Sequence, residues 1–179
     1  MTRSRDEWSL SIIVPTYNEA ENIPELLDRI EGTLRGESFE VIIVDDDSSD
    51  GTADLAEEFG EKYKNVKVLR RRGKLGLGSA VVDGMEVAGG DIVAVMDADL
   101  QHPPELLPKM LEKADEGYDV VVASRYVKGG GVERWGFLRR LISLGAVSLA
   151  HLLFPRTRVV RDTVSGFFCS GKAWSMGLG

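Results

Sequence analysis

Short runs of consecutive apolar residues alternate along this chain with longer stretches whose apolar residues recur at helical spacing. The runs are continuous and do not alternate with polar residues, which is typical of strands covered on both faces. Strands that alternate with helices predict an α/β fold around a mostly parallel sheet, wound with right-handed crossovers. The predicted strands are 10–14, 39–44, 66–69, 91–96 and 119–124, and the predicted helices are 21–35, 52–63, 77–88 and 105–116.

The size and composition of the chain fit one globular domain. It has 179 residues, of which 43% are hydrophobic and 28% are charged, and this is enough for a complete core. The net charge of −7 argues against general nucleic-acid binding, yet residues 125–161 contain eight Lys or Arg residues and a single acid, Glu133. A basic segment on an acidic domain indicates either a local anionic partner, such as phosphate or a lipid head group, or a solvated basic loop.

Cysteine content and apolar run length bear on compartment and membrane. The single cysteine, Cys169, excludes an internal disulfide, fits a reducing compartment and is predicted to be a small core residue. The longest apolar run, 141–154, is shorter than the roughly 20 residues that a spanning helix needs. We therefore expect no transmembrane segment in this chain.

Polar or glycine-rich sequence follows each predicted strand. In open α/β sheets, ligands bind at the carboxyl ends of the strands. Because the carboxyl ends of parallel strands meet at one edge, the five tails are predicted to converge on one rim that forms the functional site. The tails are PTYNE (15–19), DDDSSDGT (45–52), RRRGKLGLG (70–78), DADLQHPPE (97–105) and SRYVKGGG (124–131).

The fourth tail indicates a divalent metal. Asp97 and Asp99 are one residue apart, so both carboxylates can point to one side, and Gln101 adds a neutral oxygen at the same period. Such hard oxygen ligands suit Mg²⁺ or Mn²⁺, which take water and substrate phosphate oxygens at their other positions. The alternative is a loop in which Asp99 caps the following helix.

The first three tails indicate a nucleotide. The run 45–47 consists of three aspartates, which need a counter-charge or a ligand, and a strand-end carboxylate can accept hydrogen bonds from ribose or a nucleobase. Tyr17 offers a flat face to a base and Glu19 an acceptor, although Asn18 and Glu19 could simply begin a helix. The stretch 70–80 does not match the GxxxxGK[ST] phosphate loop, but it could bring cationic and backbone donors to a sugar or pyrophosphate.

The fifth tail and the apolar stretch after it indicate a lipid phosphate. Arg125 ends the last predicted strand, and Arg139 and Ser143 would lie one turn apart on a helix over 137–154. Two guanidinium groups and a hydroxyl suit a phosphate, and the apolar remainder of the helix suits a hydrocarbon tail. The alternative is a core or dimer helix with a basic first turn.

Taken together, these motifs resemble the inverting glycosyltransferases of family 2, and among them the branch that glycosylates polyprenyl phosphates. The resemblance implies a GT-A fold over 1–179 as a single catalytic domain, a nucleotide-sugar donor, Mg²⁺ or Mn²⁺, and a lipid-phosphate acceptor. It runs from about residue 9 to 168, on the stretches PTYNEAENI, VDDDSSDGT, GLGSA, MDADLQHPPE, SRYVKGG, RRLISLGA and DTVSGFF.

The resemblance also implies a role for individual residues. The nucleoside would be held by Pro15, Tyr17, Glu19, Val44 and Asp46. The donor would also lie against Asp97, Ala98 and Asp99, and the metal would be bound by Asp97, Asp99 and Gln101. The acceptor phosphate would be held by Arg125, Arg139 and Ser143, and the catalytic residues would be Asp99 and Arg125.

The expected reaction is transfer of mannose from GDP-mannose to dolichyl or another polyprenyl phosphate, with inversion. We expect peripheral attachment to the cytoplasmic face of a membrane, through a flexible acceptor loop at 126–136 and an interfacial helix at 137–154. In this family the chain continues after SGFF with further strands and a basic loop, whereas here it ends about ten residues later, so we expect a domain truncated at its C-terminus.

Three alternatives stay open at this point. The donor could be a UDP-sugar, as in a polyprenyl-phosphate glucosyltransferase, because the sequence does not decide between bases. A truncated domain could bind a nucleotide-sugar without turnover. A receiver-type signalling domain, with Mg²⁺ beside a phosphoacceptor aspartate, would explain the acids after the second strand but would leave DADLQHPPE without a use.

Overall fold

A six-stranded sheet forms the centre of the part of the chain that the computed structural model describes, residues 9–124 and 165–171. The strands are β1 (Leu10–Thr16), β2 (Phe39–Asp45), β3 (Val66–Arg70), β4 (Ile92–Val95), β5 (Val120–Val122) and β6 (Phe168–Gly171). The helices are α1 (Ile23–Thr33), α2 (Thr52–Tyr63), α3 (Leu77–Val87) and α4 (Leu107–Asp115), the last preceded by a 3₁₀ turn at Pro104–Leu106.

The strand order is β3-β2-β1-β4-β6-β5. The first four of these strands pair in parallel, with Leu10 opposite Phe39 on one side and opposite Ile92 on the other. This confirms the predicted α/β class with a mostly parallel sheet. The strand β6 was not predicted; it pairs antiparallel with both β4 and β5 and separates them.

The core has two layers, one on each face of the sheet. On β1, Ile12 and Val14 face the larger cluster together with the apolar stripe of α1, whereas Ile13 faces the smaller cluster against α3. The close approach of α3 requires Gly84, because a Cβ there would lie 2.6 Å from Cγ2 of Ile13. Both faces of the central strands are covered, as their continuous apolar runs predict.

The helix starts differ from the predictions for local reasons. The helix α1 begins at Ile23 because the carbonyl oxygen of Glu19 accepts from the backbone N–H groups of Asn22 and Ile23 in a turn. The helix α4 begins at Leu107, after the 3₁₀ turn that contains Pro104. Proline is favoured in the first turn of a helix because it has no N–H to leave unpaired.

Two further sequence expectations concern the core and the membrane. Cys169 is 1% exposed, so the prediction of a small core residue is confirmed, and burial raises the pKa of its thiol to about 11. Within residues 9–124 and 165–171, every helix is too short or too polar to span a bilayer. The predicted acceptor loop 126–136 and interfacial helix 137–154 lie outside the described residues.

Candidate active site

The tails of β1 and β2 are joined by hydrogen bonds between backbone and side chains. The backbone N–H of Asn18 donates to Oγ of Ser48 at 2.8 Å, and Oδ1 of Asn18 accepts from the N–H of Ser49 at 3.1 Å. The N–H of Glu19 donates to Oγ1 of Thr52 at 2.9 Å, at the first residue of α2. The first two tails therefore meet at one edge, as predicted.

The three aspartates after β2 occupy different environments. Asp45 is 2% exposed and accepts from Oγ1 of Thr16 at 3.0 Å and from the N–H and Oγ of Ser48 at 2.9 and 2.5 Å. Asp46 is also buried, whereas Asp47 is exposed and has a φ of 61°. The predicted mutual repulsion is therefore relieved by hydrogen bonds at Asp45 and by solvent at Asp47.

Asp46 has an internal counter-charge, which is Arg71. Its Oδ1 lies 2.6 Å from Nη1 of Arg71, and its Oδ2 accepts from the backbone N–H groups of Leu75 and Gly76 at 3.1 and 2.8 Å. Arg71 and Asp46 expose only 4% and 7% of their side chains. The sequence did not single out Arg71, because it stands among three consecutive arginines that composition alone does not distinguish.

The third tail also reaches the first. Tyr17 is 42% exposed, and Nζ of Lys74 lies 3.7 Å from the centroid of its ring. Such a cation–π contact is attractive because the face of the ring is negative. The remaining predicted nucleoside residues differ in access: Pro15 is half-buried, whereas Val44 is fully buried, backbone included.

The tail of β4 holds two acids of unequal access. The side chain of Asp97 is 34% exposed, its Oδ2 lies 3.5 Å from Nδ1 of His102, and Gly166 packs against its carboxylate. Asp99 is exposed, and its Oδ1 accepts from the backbone N–H of Gln101 at 3.0 Å, so it stabilises its own turn instead of capping a helix. Between them, Ala98 is 3% exposed.

Backbone conformation marks the same edge. Asn18, Asp47 and Leu100 adopt φ values of 56°, 61° and 59°, one in each of the tails of β1, β2 and β4. Asparagine and aspartate tolerate this left-handed region better than other residues, whereas leucine does so rarely. Strained backbone clusters at functional sites, so these three residues support the assignment of the rim as a site.

The β4 tail fits a hard divalent cation. The groups that could hold one are the carboxylates of Asp97 and Asp99 and the amide of exposed Gln101. Across residues 9–124 and 165–171, no three His, Cys, Asp or Glu side chains gather into a metal cluster. A set with two carboxylates is nevertheless what Mg²⁺ or Mn²⁺ uses when substrate phosphate oxygens complete the coordination.

The segment before β6 closes the site beside β4. Oγ of Ser165 donates to the carbonyl of Ala123 at 2.9 Å, and the N–H of Ala123 donates to the carbonyl of Phe167 at the same distance. The ring of Phe167 lies 5.6 Å from that of His102. Sequence reasoning assigned this stretch no role of its own, and in the structure it packs against Asp97 and His102 of the β4 tail.

The predicted acceptor residues are not part of the described chain. Arg125 follows the last described residue of the β5 tail, Ser124, and Arg139 and Ser143 lie within the same undescribed stretch. The structure therefore brings together the predicted nucleoside residues of the first two strands, and it places the predicted metal residues in the tail of the adjacent strand β4.

Known proteins identify the family of this architecture. The family model described as Glycosyl transferase family 2 matches residues 11–176. A dolichol-phosphate mannosyltransferase from Pyrococcus furiosus is 51% identical over 163 residues, which make up 91% of this chain and 46% of that protein. The chain spans about half the length of the curated relatives it matches.

Solved structures agree with the sequence comparison. A mannosyltransferase from Pyrobaculum calidifontis, in complex with GDP-mannose and Mn²⁺, is 28% identical with a TM-score of 0.59, over 69% of this chain and 37% of that chain. The mannosyl-3-phosphoglycerate synthase of Rubrobacter xylanophilus is 25% identical with a TM-score of 0.72, over 93% of this chain and 54% of that chain. The chain belongs to glycosyltransferase family 2, and its sheet and helices form the GT-A fold.

Proposed function

We propose that this chain transfers mannose from GDP-mannose to dolichyl phosphate or another polyprenyl phosphate, with inversion at the anomeric carbon. The observation that carries the proposal is the 51% identity to a dolichol-phosphate mannosyltransferase across 91% of the chain. The geometry supports it, because the tails of β1, β2 and β4 carry the nucleoside and metal residues on neighbouring strands.

The donor nucleoside would bind across the tails of β1 and β2. Tyr17 offers its half-exposed ring to the base, and Glu19 offers a carboxylate that already accepts from Nδ2 of Asn22 at 2.7 Å. Asp46 is buried and accepts from the backbone N–H groups of Leu75 and Gly76. In this proposal Pro15 borders the nucleoside pocket, and Val44, which is fully buried and pairs with Pro15 across β1 and β2, supports it from within the sheet.

The diphosphate would bind at the tail of β4. Asp97, Asp99 and Gln101 would hold Mg²⁺ or Mn²⁺, with Ala98 against the donor. When bound, the cation neutralises charge that develops on the leaving nucleoside diphosphate. The Pyrobaculum relative was solved with Mn²⁺ and GDP-mannose, which supports this pairing of ion and donor.

The acceptor needs no general base in this proposal. A phosphate monoester has a second pKa of about 6, so its oxygen is largely ionised at neutral pH and is a competent nucleophile. Arg125, Arg139 and Ser143 would orient it for in-line attack, so the rate enhancement comes from positioning and charge compensation. A lipid acceptor implies that the chain works at a membrane surface, and we propose peripheral attachment to its cytoplasmic face.

Calorimetric titration with nucleotide-sugars tests the donor. GDP-mannose, UDP-glucose and UDP-mannose are titrated into the chain with Mn²⁺ and again with EDTA, and each donor is then incubated with dolichyl or undecaprenyl phosphate. Metal-dependent binding of GDP-mannose and formation of mannosyl lipid are expected. Preference for a UDP-sugar would show that the donor is not GDP-mannose. Binding without formation of a lipid product would show that the chain binds a nucleotide-sugar without turnover.

A further inference from the structure

The guanidinium of Arg71 is buried at the junction of β2, β3 and α3. Nη1 lies 2.6 Å from Oδ1 of Asp46, and Nη2 donates to Oγ of Ser79 at 2.6 Å. Nε lies 2.9 Å from Oδ2 of Asp83 in an ion pair that is not aligned as a hydrogen bond. Two buried charges are stabilised only when their partners are arranged closely around them, and here the partners come from two different elements.

The same contacts close the loop 72–76. Asp46 accepts from the backbone N–H groups of Leu75 and Gly76, while the carbonyl of Gly76 accepts from Nη1 of Arg71 at 3.3 Å. Gly76 has a φ of 96°, a conformation that a residue with a Cβ rarely adopts. The loop is therefore fixed at its distal end by the Arg71–Asp46 pair.

The closed loop delivers a cation to the exposed edge. Lys74 stands within it, with Nζ 3.7 Å from the ring centroid of Tyr17. An aromatic ring with an ammonium group over one of its faces suits a ligand that has both a planar ring and negative charge, which is the chemistry of a nucleoside diphosphate. Arg71, with 4% of its side chain exposed, has no comparable access to a ligand.

We infer that Arg71 is a positioning residue for donor binding, which acts through Asp46 and the 72–76 loop to hold Lys74 over Tyr17. The expected effect of Arg71 on donor affinity rests on the proposed function. The expected effect of Arg71 on the 72–76 loop does not depend on any ligand. Loss of a purely structural arginine would lower the stability of the whole sheet. Loss of Arg71 should instead free mainly the backbone N–H groups of the 72–76 loop at the rim.

The test compares neighbouring arginines by amide exchange and by nucleotide binding. Arg71→Met keeps the apolar stem and removes the charge. Arg71→Lys keeps the charge but cannot contact Asp46 and Ser79 at the same time through two nitrogens of a guanidinium. Arg70→Met is the matched control, because Arg70 is half-exposed and pairs at the surface with Glu57 and Asp54. Hydrogen exchange is followed at single-residue resolution, and the dissociation constants of GDP and UDP are measured with Mn²⁺.

In Arg71→Met the N–H groups of Leu75 and Gly76 should exchange about tenfold faster, the factor that corresponds to one charged hydrogen bond. The N–H of Ile42, in the centre of β2, should accelerate much less than these two, because it exchanges only when the sheet as a whole unfolds. The dissociation constant of the nucleotide that binds should rise about tenfold. Arg71→Lys should fall between Arg71→Met and the wild type, and Arg70→Met should match the wild type.

Unchanged exchange at Leu75 and Gly76 in Arg71→Met would overturn the inference, as would equal acceleration at Ile42, which is the signature of a general loss of stability. If Arg71→Met does not fold, hydrogen exchange at Leu75 and Gly76 is compared between Arg71→Lys and the wild type, and the same outcomes apply. If the wild type binds neither GDP nor UDP while Leu75 and Gly76 still respond, the proposed function fails and the positioning of the loop stands. Weaker nucleotide binding in Arg71→Met without a change in exchange at Leu75 and Gly76 would contradict the positioning role of Arg71 and leave the proposed function in place.

Discussion

The amino and carboxyl ends of the central strands both hold carboxylates, and they use them for different purposes. At the amino end Glu40 is fully buried and accepts at 2.6 Å from Oγ of Ser11 and from the N–H of Gly89. Nζ of Lys67 lies 2.6 Å from its other oxygen. This carboxylate is compensated within the fold and has no surface left for a ligand.

At the carboxyl end the acids are graded by their access to solvent. Asp46 is buried and paired with Arg71, Asp97 is one-third exposed, and Asp99 is exposed. The difference between the ends shows which acids stabilise the fold and which remain available to a cation. Substitutions at the two ends should therefore separate stability from activity.

The largest effect is expected at Asp99. Asp99→Asn keeps a side-chain oxygen for the N–H of Gln101 but removes a charge from the proposed metal site. Metal charge stabilisation is worth several kcal/mol, so Mn²⁺-dependent mannosyl transfer should fall on the order of a thousandfold. The melting temperature should stay within about 2 °C of the wild type.

The control for Asp99 is Asp47→Asn, at another exposed acid on the same edge. It should leave both the transfer rate and the melting temperature unchanged. Retention of transfer in Asp99→Asn, or an equal loss in the control, would show that exposure at this edge does not identify the metal ligands.

Glu40 should give the opposite pattern. Glu40→Ala leaves the hydroxyl of Ser11 and the N–H of Gly89 without their acceptor, so the free energy of unfolding should fall by about 3 kcal/mol. Urea denaturation measures this loss, and transfer per folded molecule should be unchanged. Glu37→Ala, at an exposed glutamate nearby, should change stability by less than about 0.5 kcal/mol. A fall in transfer per folded molecule would contradict the separation of the two ends.

A smaller effect is expected at Gly166. A Cβ there would lie 2.8 Å from Cγ of Asp97, so alanine should push this carboxylate out of position. Misplacement by about 1 Å can cost up to about a hundredfold in rate, and the Mn²⁺ concentration for half-maximal transfer should rise. Gly171→Ala is the control, because a Cβ there meets nothing within 4 Å. Equal effects of the two substitutions would remove the special role of Gly166.

The smallest effect concerns pH and again falls on Glu40. Burial alone would raise its pKa, but hydrogen bonds from Lys67, Ser11 and Gly89 outweigh burial and hold the pKa below its ordinary value. The charged form therefore stabilises the fold above a pH of about 4.3, and this contribution is lost as the pH falls through the lowered pKa. The stability difference between wild type and Glu40→Gln, from urea titrations, should shrink below that pH. A constant difference would contradict the assignment.

Local pattern was sufficient for the parallel part of the sheet but not for its antiparallel strand. The apolar runs of β1 and β2 are long and bounded by turns, so their positions were predictable. The strand β6 has only four residues, and its location depends on pairing with β4 and β5, which are distant in sequence. Such pairing leaves no short-range signal in a single sequence.

The sequence indicated the kind of chemistry at the site better than it indicated which side chains are in contact there. The acids after β2 and β4 stand out because unpaired carboxylates at buried strand ends are costly. The sequence could not show which arginine compensates them: Arg70 pairs at the surface with Glu57, and Arg71 turns inward to Asp46. That choice depends on how β3 enters the loop before α3.

The insertion of β6 between β4 and β5 also has a consequence for the segment that joins β5 to β6. The chain leaves β5 and returns to β6 at points joined by hydrogen bonds between Ala123, Ser165 and Phe167. Both ends of the segment 125–164 are thus anchored next to the acids of β4, whatever its length. Closure entropy grows slowly with length, by about 0.6 kcal/mol per doubling. If the acceptor binds to this segment, as proposed, a change in its length or sequence would alter the acceptor without moving the residues proposed to hold the donor.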